Sequence, residues 1–226
     1  MRYLLILSFF FTISITAQDD TTSSNKGYYL EDQLYIGASY NLLRNKPNDV
    51  SLRGVSNSFF TGYIRDIPLN EQRSFGLGIG LGYARDRYFH NMKISVQNNQ
   101  VVAEDFQDLE EYNSNELLFH KLELPFQIRW RKSTIDKYKF FRIYTGVKFS
   151  YVLYSKSQFN LNGFQKYRYL DAVNKFQYGL SLSIGQGTWN AFVYYGLNSI
   201  FKEVKYNNAD PLNLKSIKLG VIFYIM

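Results

Sequence analysis

Hydrophobic and polar residues alternate with a period of two along most of the chain after residue 30. The clearest segment is residues 74–83, SFGLGIGLGY, in which Phe75 and every second residue through Tyr83 are apolar, while serine and glycine occupy the positions between them. A helix would scatter these two sets around its circumference and would be weakened by four glycines. The pattern therefore predicts a β-strand with one apolar face and one face of small residues, which leaves room for bulky side chains from elsewhere.

The same alternation predicts seven further strands. The second strand is the least regular, because Phe59 and Phe60 fall on opposite faces. The eight predicted strands span residues 34–42, 55–64, 74–83, 118–130, 141–153, 176–184, 189–197 and about 214–226. An even number of antiparallel strands brings both ends of the chain to the same end of the sheet.

The connections between these strands alternate in length. Short connections are predicted at residues 65–73, 132–138 and 185–188, and longer ones at residues 44–53, 90–114, about 156–172 and about 202–213. Outer-membrane barrels have short periplasmic turns and longer outer loops, whereas a soluble sandwich has no reason to sort its connections in this way. We therefore predict an all-β fold, an eight-stranded antiparallel up-and-down transmembrane β-barrel, with both termini in the periplasm.

The two tryptophans and the last strand fit this topology. Trp130 and Trp189 both fall on the apolar face at strand ends that meet the short turns, where a membrane barrel carries an aromatic girdle. The chain ends on KLGVIFYIM, whose apolar and aromatic residues alternate up to the last positions, as in the C-terminal assembly signal of outer-membrane barrels. We expect this last strand to close the barrel against the first.

The first 17 residues, MRYLLILSFFFTISITA, have the organisation of a secretory signal peptide, with Arg2 before an apolar stretch and Ala17 at the cleavage point. Residues 18–30 are small and polar at their start and predict a flexible periplasmic lead-in. The sequence therefore divides into a signal peptide at 1–17, this lead-in at 18–30 and the barrel at 31–226. No later segment has 18 consecutive apolar residues, so a membrane-spanning region would have to be a barrel.

Composition narrows the function classes. The 226 residues include no cysteine, which excludes disulfides, cysteine-ligated metals, a cysteine nucleophile and a lipidated N-terminal cysteine. The net charge of +7 is scattered without a run of like charges, so we expect no nucleic-acid partner. Aromatic residues make up 18% of the chain, which suits strands and membrane interfaces.

Charged residues also occupy the face of the strands that is opposite the apolar one. The inward set consists of Lys121, Glu123, Arg129, Arg142, Lys148 and Lys218. Eight strands enclose a lumen just wide enough for side chains, so we expect these charges to form a salt-bridged plug rather than to line an open path.

We assign no catalytic, cofactor-binding or metal-binding residue. His90 continues the inward set of its strand, whereas His120 belongs to the outward, apolar set of its own strand. The two histidines would therefore point to opposite sides of the wall. Lys121 and Leu122 follow His120, so the His-x-Ser arrangement of lipid-deacylating barrels is missing. The acidic segment at residues 104–111 is expected to be a solvated loop, although a cation or a basic partner could bind there. We therefore expect a protein that is not an enzyme.

Several segments resemble the PorT-type outer-membrane β-barrel proteins of Bacteroidota, which belong to the broader porin-like barrel family. The resemblance covers nearly all of the mature chain. Its most specific parts are LEDQLYIGASYNLL, GYIRDIPLNEQRSFGLGIGLGY, LELPFQIRWR, KFFRIYTGVKFSY and KLGVIFYIM.

This resemblance implies a role in the type IX secretion system, which exports gliding adhesins and secreted enzymes across the outer membrane. The barrel would be an accessory or assembly factor whose partners are outer-membrane lipid and other secretion proteins, with no small-molecule substrate. Three alternatives remain open from the residues: a small porin-like channel, a lipid-modifying enzyme and a purely structural barrel.

Overall fold

The computed structural model describes residues 32–52, 54–97, 100–105, 112–132, 141–161, 164–167, 172–202, 204–207 and 210–225. The predicted signal peptide at 1–17 and lead-in at 18–30 lie outside these residues, and so remain predictions. The strands are β1 (Gln33–Arg44), β2 (Asn57–Pro68), β3 (Phe75–Phe89), β4 (Met92–Gln97), β5 (Gln100–Asp105), β6 (Tyr112–Arg131), β7 (Phe141–Leu161), β8 (Phe164–Tyr167), β9 (Phe176–Gln186), β10 (Trp189–Gly196), β11 (Lys205–Tyr206), β12 (Asp210–Pro211) and β13 (Lys215–Ile225).

Eight long strands form one closed antiparallel barrel in the order β1-β2-β3-β6-β7-β9-β10-β13. The last strand pairs with the first over its whole length, from Leu34 opposite Ile225 to Arg44 opposite Lys215. This confirms the predicted count of eight strands and the predicted closure.

The two ends of the barrel differ in their connections. At one end β2–β3, β6–β7 and β9–β10 are joined by the shorter connections, and β1 begins and β13 ends there; we call it the turn end. Between β9 and β10 the turn is only Gly187 and Thr188, and Gly187 has a φ of 61°, a left-handed conformation that favours glycine. The opposite end carries the longer connections, and we call it the loop end.

The loop end contains more structure than the sequence pattern predicts. The predicted loops at 90–114, about 156–172 and about 202–213 contain strands β4, β5, β8, β11 and β12, and β6 and β7 extend well beyond their predicted bounds. Strands β12-β11-β5-β4 form a second, four-stranded sheet. Residues 104 and 105 of the acidic segment belong to β5, so this part is not the loop that we expected, and residues 106–111 lie outside the described part.

The wall is apolar outside, as the alternation predicts. On β3 the outward residues Phe75 through Tyr83 are exposed, whereas the inward positions are buried. Phe59 points outward and Phe60 inward, which explains the irregular pattern of the second strand. Trp130 packs edge-on against Phe141 at the turn end, with ring centroids 6.1 Å apart, so this side chain occupies the predicted girdle position.

The inward glycines create the predicted space. A Cβ atom on Gly62 would lie 2.6 Å from the hydroxyl oxygen of Tyr35, and one on Gly82 would overlap that same hydroxyl. Tyr35 belongs to β1, so its side chain reaches past β2 to β3. Glycine at these two positions therefore lets a large lumen side chain lie flat against the wall.

Candidate functional site: the filled lumen and its cap

A buried ion cluster around Asp86 crosses the lumen on the loop-end side. The Asp86 carboxylate lies 2.7 Å from the Lys121 ammonium and 2.6 Å from the Lys218 ammonium. Because β3, β6 and β13 supply these residues, the cluster joins well-separated parts of the wall. Lys121 also donates a hydrogen bond to the Gln177 side chain on β9 at 2.7 Å.

Glu123 and Lys148 form a second ion pair inside the lumen, at 2.8 Å. The Lys148 ammonium also lies 5.0 Å from the ring centroid of Phe60 and 5.1 Å from that of Phe192. These two rings are 4.9 Å apart and come from β2 and β10, which lie on different sides of the barrel. One lysine thus connects an acid on its neighbouring strand with aromatic rings from two other strands.

A third cluster lies near the turn end. The Asp66 carboxylate forms an ion pair with Arg131 and lies 3.7 Å from the Arg129 guanidinium. Arg129 donates to the side-chain oxygens of Gln127 and Gln33, each at 3.2 Å. Its guanidinium also lies 4.4 Å from the ring centroid of Tyr144, which gives a cation–π contact.

All six charged residues predicted to face the lumen do so, and each is at most 5% exposed. Arg142 is fully buried, with its guanidinium 5.8 and 5.9 Å from the ring centroids of Tyr144 and Tyr224. The predicted salt-bridged plug is therefore present.

The two aspartates of this network, Asp66 and Asp86, are not among the lumen residues predicted from the sequence. Asp66 and Asp86 have the inward parity of β2 and β3, but the predicted strands stop at residues 64 and 83, short of both. Extending the alternation by two residues on β2 and by three on β3 would have found them.

An aromatic and aliphatic layer, which the sequence analysis also missed, fills the lumen between the ion clusters. Its members are Tyr35, Phe60, Ile64, Ala84, Tyr144, Phe192, Tyr194, Ile222 and Tyr224. Tyr224 is central, with its ring 5.3 Å from Tyr144 and 6.4 Å from Tyr35. The lumen is thus filled by apolar rings as well as by charge pairs.

The four-stranded sheet and the neighbouring connections form a cap over the loop end. The apolar core beneath the cap combines barrel residues with residues of the connections: Leu43, Val50, Tyr88, Met92, Ile94, Ala103, Leu117, Phe119, Val152, Val173, Ile200, Phe201, Val204, Tyr206, Leu212 and Leu214. A hydrogen bond of 2.7 Å between the side-chain oxygens of Tyr88 and Ser216 crosses the top of the lumen. Burial of this core holds the connections against the barrel rim.

The two histidines lie on opposite sides of the wall, as predicted. His90 is buried beneath the cap, where its Nδ1 accepts a hydrogen bond from the Met92 backbone NH at 3.2 Å. Burial lowers the pKa of His90 to about 4, so its imidazole is neutral at neutral pH. His120 faces outward between Tyr83 and Tyr154.

Two features concern the described residues as a whole. They contain no group of three or more His, Asp or Glu side chains placed to hold a metal ion. No helix among them is long and apolar enough to cross a membrane.

A comparison with known protein families agrees with the closed barrel described above. Residues 16–202 match the sequence profile of the family described as "Outer membrane protein beta-barrel domain". This chain belongs to that family. An outer-membrane β-barrel is therefore the fold and the location of this protein, and the exposed apolar wall is its lipid-facing surface.

Among solved structures, the chain is similar to crystal structures of Ail, the attachment invasion locus protein of Yersinia pestis. The first has a TM-score of 0.42 and 12% identity, and the match covers 86% of this chain and 97% of that one. The second, a complex with the heparin analogue sucrose octasulfate, has a TM-score of 0.40 and 12% identity, with 87% and 99% coverage. No curated protein matches the sequence.

The Asp86 cluster generates a stability prediction. The substitution Asp86→Asn preserves the shape of the side chain but leaves Lys121 and Lys218 buried without their shared acid, so we expect a loss of about 3–5 kcal/mol. The loss is measured as a lower urea midpoint in detergent, followed by tryptophan fluorescence.

The matched control is Glu116→Gln at the loop-end rim. It breaks the ion pair with Arg87, whose nitrogen and oxygen are 2.6 Å apart, but the Arg87 side chain is 33% exposed. We expect a loss of about 1 kcal/mol or less there. Equal losses in the two variants would contradict the role of the lumen network.

Proposed function

We propose that this outer-membrane barrel is a non-enzymatic component or assembly factor of the type IX protein secretion system, acting through protein partners rather than by conducting solutes. The observation that supports this proposal is the filled lumen. Ion pairs and ring contacts join opposite walls at several levels, and the loop end is capped. A barrel filled in this way offers partners its two ends and its outer wall.

The assignment to type IX secretion comes from sequence resemblance. The PorT-like segments fall largely on barrel strands, including LELPFQIRWR on β6 and the described part of the last segment, KLGVIFYI, on β13. The second candidate is a small general porin-like or structural barrel, which the general family match supports equally well.

A secretion assay separates the two candidates. We expect deletion of the gene to reduce type IX cargo in the culture medium and to leave the cargo inside the cell, with recovery when the wild-type gene is restored. Gliding, where the organism glides, should be lost in parallel. A matched assay of outer-membrane permeability to a large antibiotic serves as the control. Normal secretion together with a leaky outer membrane would instead indicate the structural barrel.

We further propose that both termini and the short turns lie in the periplasm and that the loop end faces outward. The difference in connection length between the ends supports this orientation. Lys205 of the cap and Glu71 of a short turn are both exposed, so they report on opposite ends of the barrel.

Single cysteines test this orientation in a chain that has none of its own. In intact cells we expect a membrane-impermeant maleimide to label Lys205→Cys. Glu71→Cys should be labelled only after the outer membrane is permeabilised. The reverse pattern would contradict the proposed orientation.

A further inference from the structure

Positively charged side chains are distributed unevenly on the outer wall. Among the described residues, five lie at outward positions of the barrel strands near the loop end. One of them, Arg87, is ion-paired with Glu116. We call the other four the cationic rim: Arg44, Arg85, Lys156 and Lys215. Near the turn end, Arg65 is the one cation at an outward strand position among the described residues. The outer wall therefore carries more positive charge near the loop end than near the turn end.

Arg44 and Lys215 lie directly opposite each other where β1 closes on β13. Like charges in this cross-strand position destabilise a sheet unless an anion lies between them. Within the described part of the chain, the Arg44 guanidinium donates to the Tyr195 hydroxyl at 2.9 Å, and neither cation forms an ion pair with a carboxylate. The Arg44–Lys215 pair is therefore positive charge that no carboxylate among the described residues neutralises.

The other two rim cations flank His120. Arg85 lies opposite His120 in register, and Lys156 lies on β7, two residues beyond Tyr154. The His120 ring centroid is 5.9 Å from that of Tyr83 and 5.6 Å from that of Tyr154. The rings of Tyr83, His120 and Tyr154 thus form a row across three neighbouring strands on the outer wall. Arg85 lies on the first of these strands and Lys156 on the last.

The height of the rim matches a membrane interface. On the turn-end side of the rim the wall is apolar, and exposed tyrosines, including Tyr40 and Tyr83, lie beside the rim. Tyrosine prefers the level of lipid headgroups, and long cationic side chains extend towards that level from the wall. Arginine and lysine there are well placed for charge-assisted hydrogen bonds to phosphate.

We propose that the cationic rim binds the phosphate groups of lipid A-type glycolipid in the outer leaflet. Charge complementarity favours this ligand, because the rim cations lie at headgroup height and Arg44 and Lys215 face each other without a carboxylate among the described residues. The choice of glycolipid over phospholipid rests on the orientation given under the proposed function, in which the loop end faces outward. Bound phosphate would fix the depth of the barrel in the membrane and relieve the repulsion at the closing strands.

The test uses the purified full-length barrel in nanodiscs of neutral phosphatidylcholine, titrated with fluorescent lipid A, with phosphatidylglycerol as a competitor. We expect saturable binding that weakens about fivefold for each rim charge removed, in Arg44→Gln with Lys215→Gln and in Arg85→Gln with Lys156→Gln. Arg65→Gln at the other end is the matched control and should bind like the wild type. The urea midpoint of each variant shows whether the barrel still folds.

Three results would overturn the proposal: no saturable binding, an equal loss in Arg65→Gln, or displacement by phosphatidylglycerol as effective as by unlabelled lipid A. The last result would mean that the rim senses negative charge and not the glycolipid. Binding in nanodiscs involves no secretion partner, so a failed secretion assay and a failed lipid assay are distinguishable.

Discussion

The pairing of β1 with β13 leaves the eight-stranded sheet without an edge, and this closure fixes the width of the space inside. In so narrow a space the inward side chains must pack against one another. A charge placed there cannot reach bulk water, so it must meet an opposite charge, a polar group or an aromatic face. The contacts of Asp86 with two lysines and of Arg129 with Tyr144 are what this constraint requires.

Small and large inward residues complement each other for the same reason. Gly62 and Gly82 accommodate the Tyr35 hydroxyl, so a narrow barrel can hold a tyrosine in its lumen. The ion clusters and the ring layer lie at successive heights, and together they join opposite walls. Because the interior is occupied in this way, the ends and the outer wall are the surfaces that this barrel leaves accessible.

The sequence predicted the barrel well because one residue pattern, alternation with a period of two, controls the side on which each side chain lies. That pattern placed Lys121 and Arg142 inside and Trp130 outside, as the structure confirms. It failed where the period is interrupted or the strand ends are ambiguous. Asp66 and Asp86 fell beyond the predicted strand ends, although both keep the inward parity.

The cap could not be predicted from alternation. Its strands are short, β11 and β12 having two residues each, and the two neighbouring pairs β4–β5 and β11–β12 are joined by a pairing between segments distant in sequence. The parallel pairing of β11 with β5 joins Lys205 to Val102, a contact that only the folded loops bring about. Apolar residues such as Ile94 and Phe201 were the sequence feature that indicated a packed structure in these connections, because a solvated loop does not need large apolar side chains.

Inward side chains fill the lumen of this outer-membrane barrel, and a filled lumen does not conduct ions. Single-channel recording of the purified wild-type protein in planar lipid bilayers tests this most directly, with a large open porin as the positive control. The filled lumen predicts no ohmic conductance steps from this protein at concentrations at which the control opens readily. Reproducible steps of constant size, present only when the folded barrel is inserted, would contradict the account.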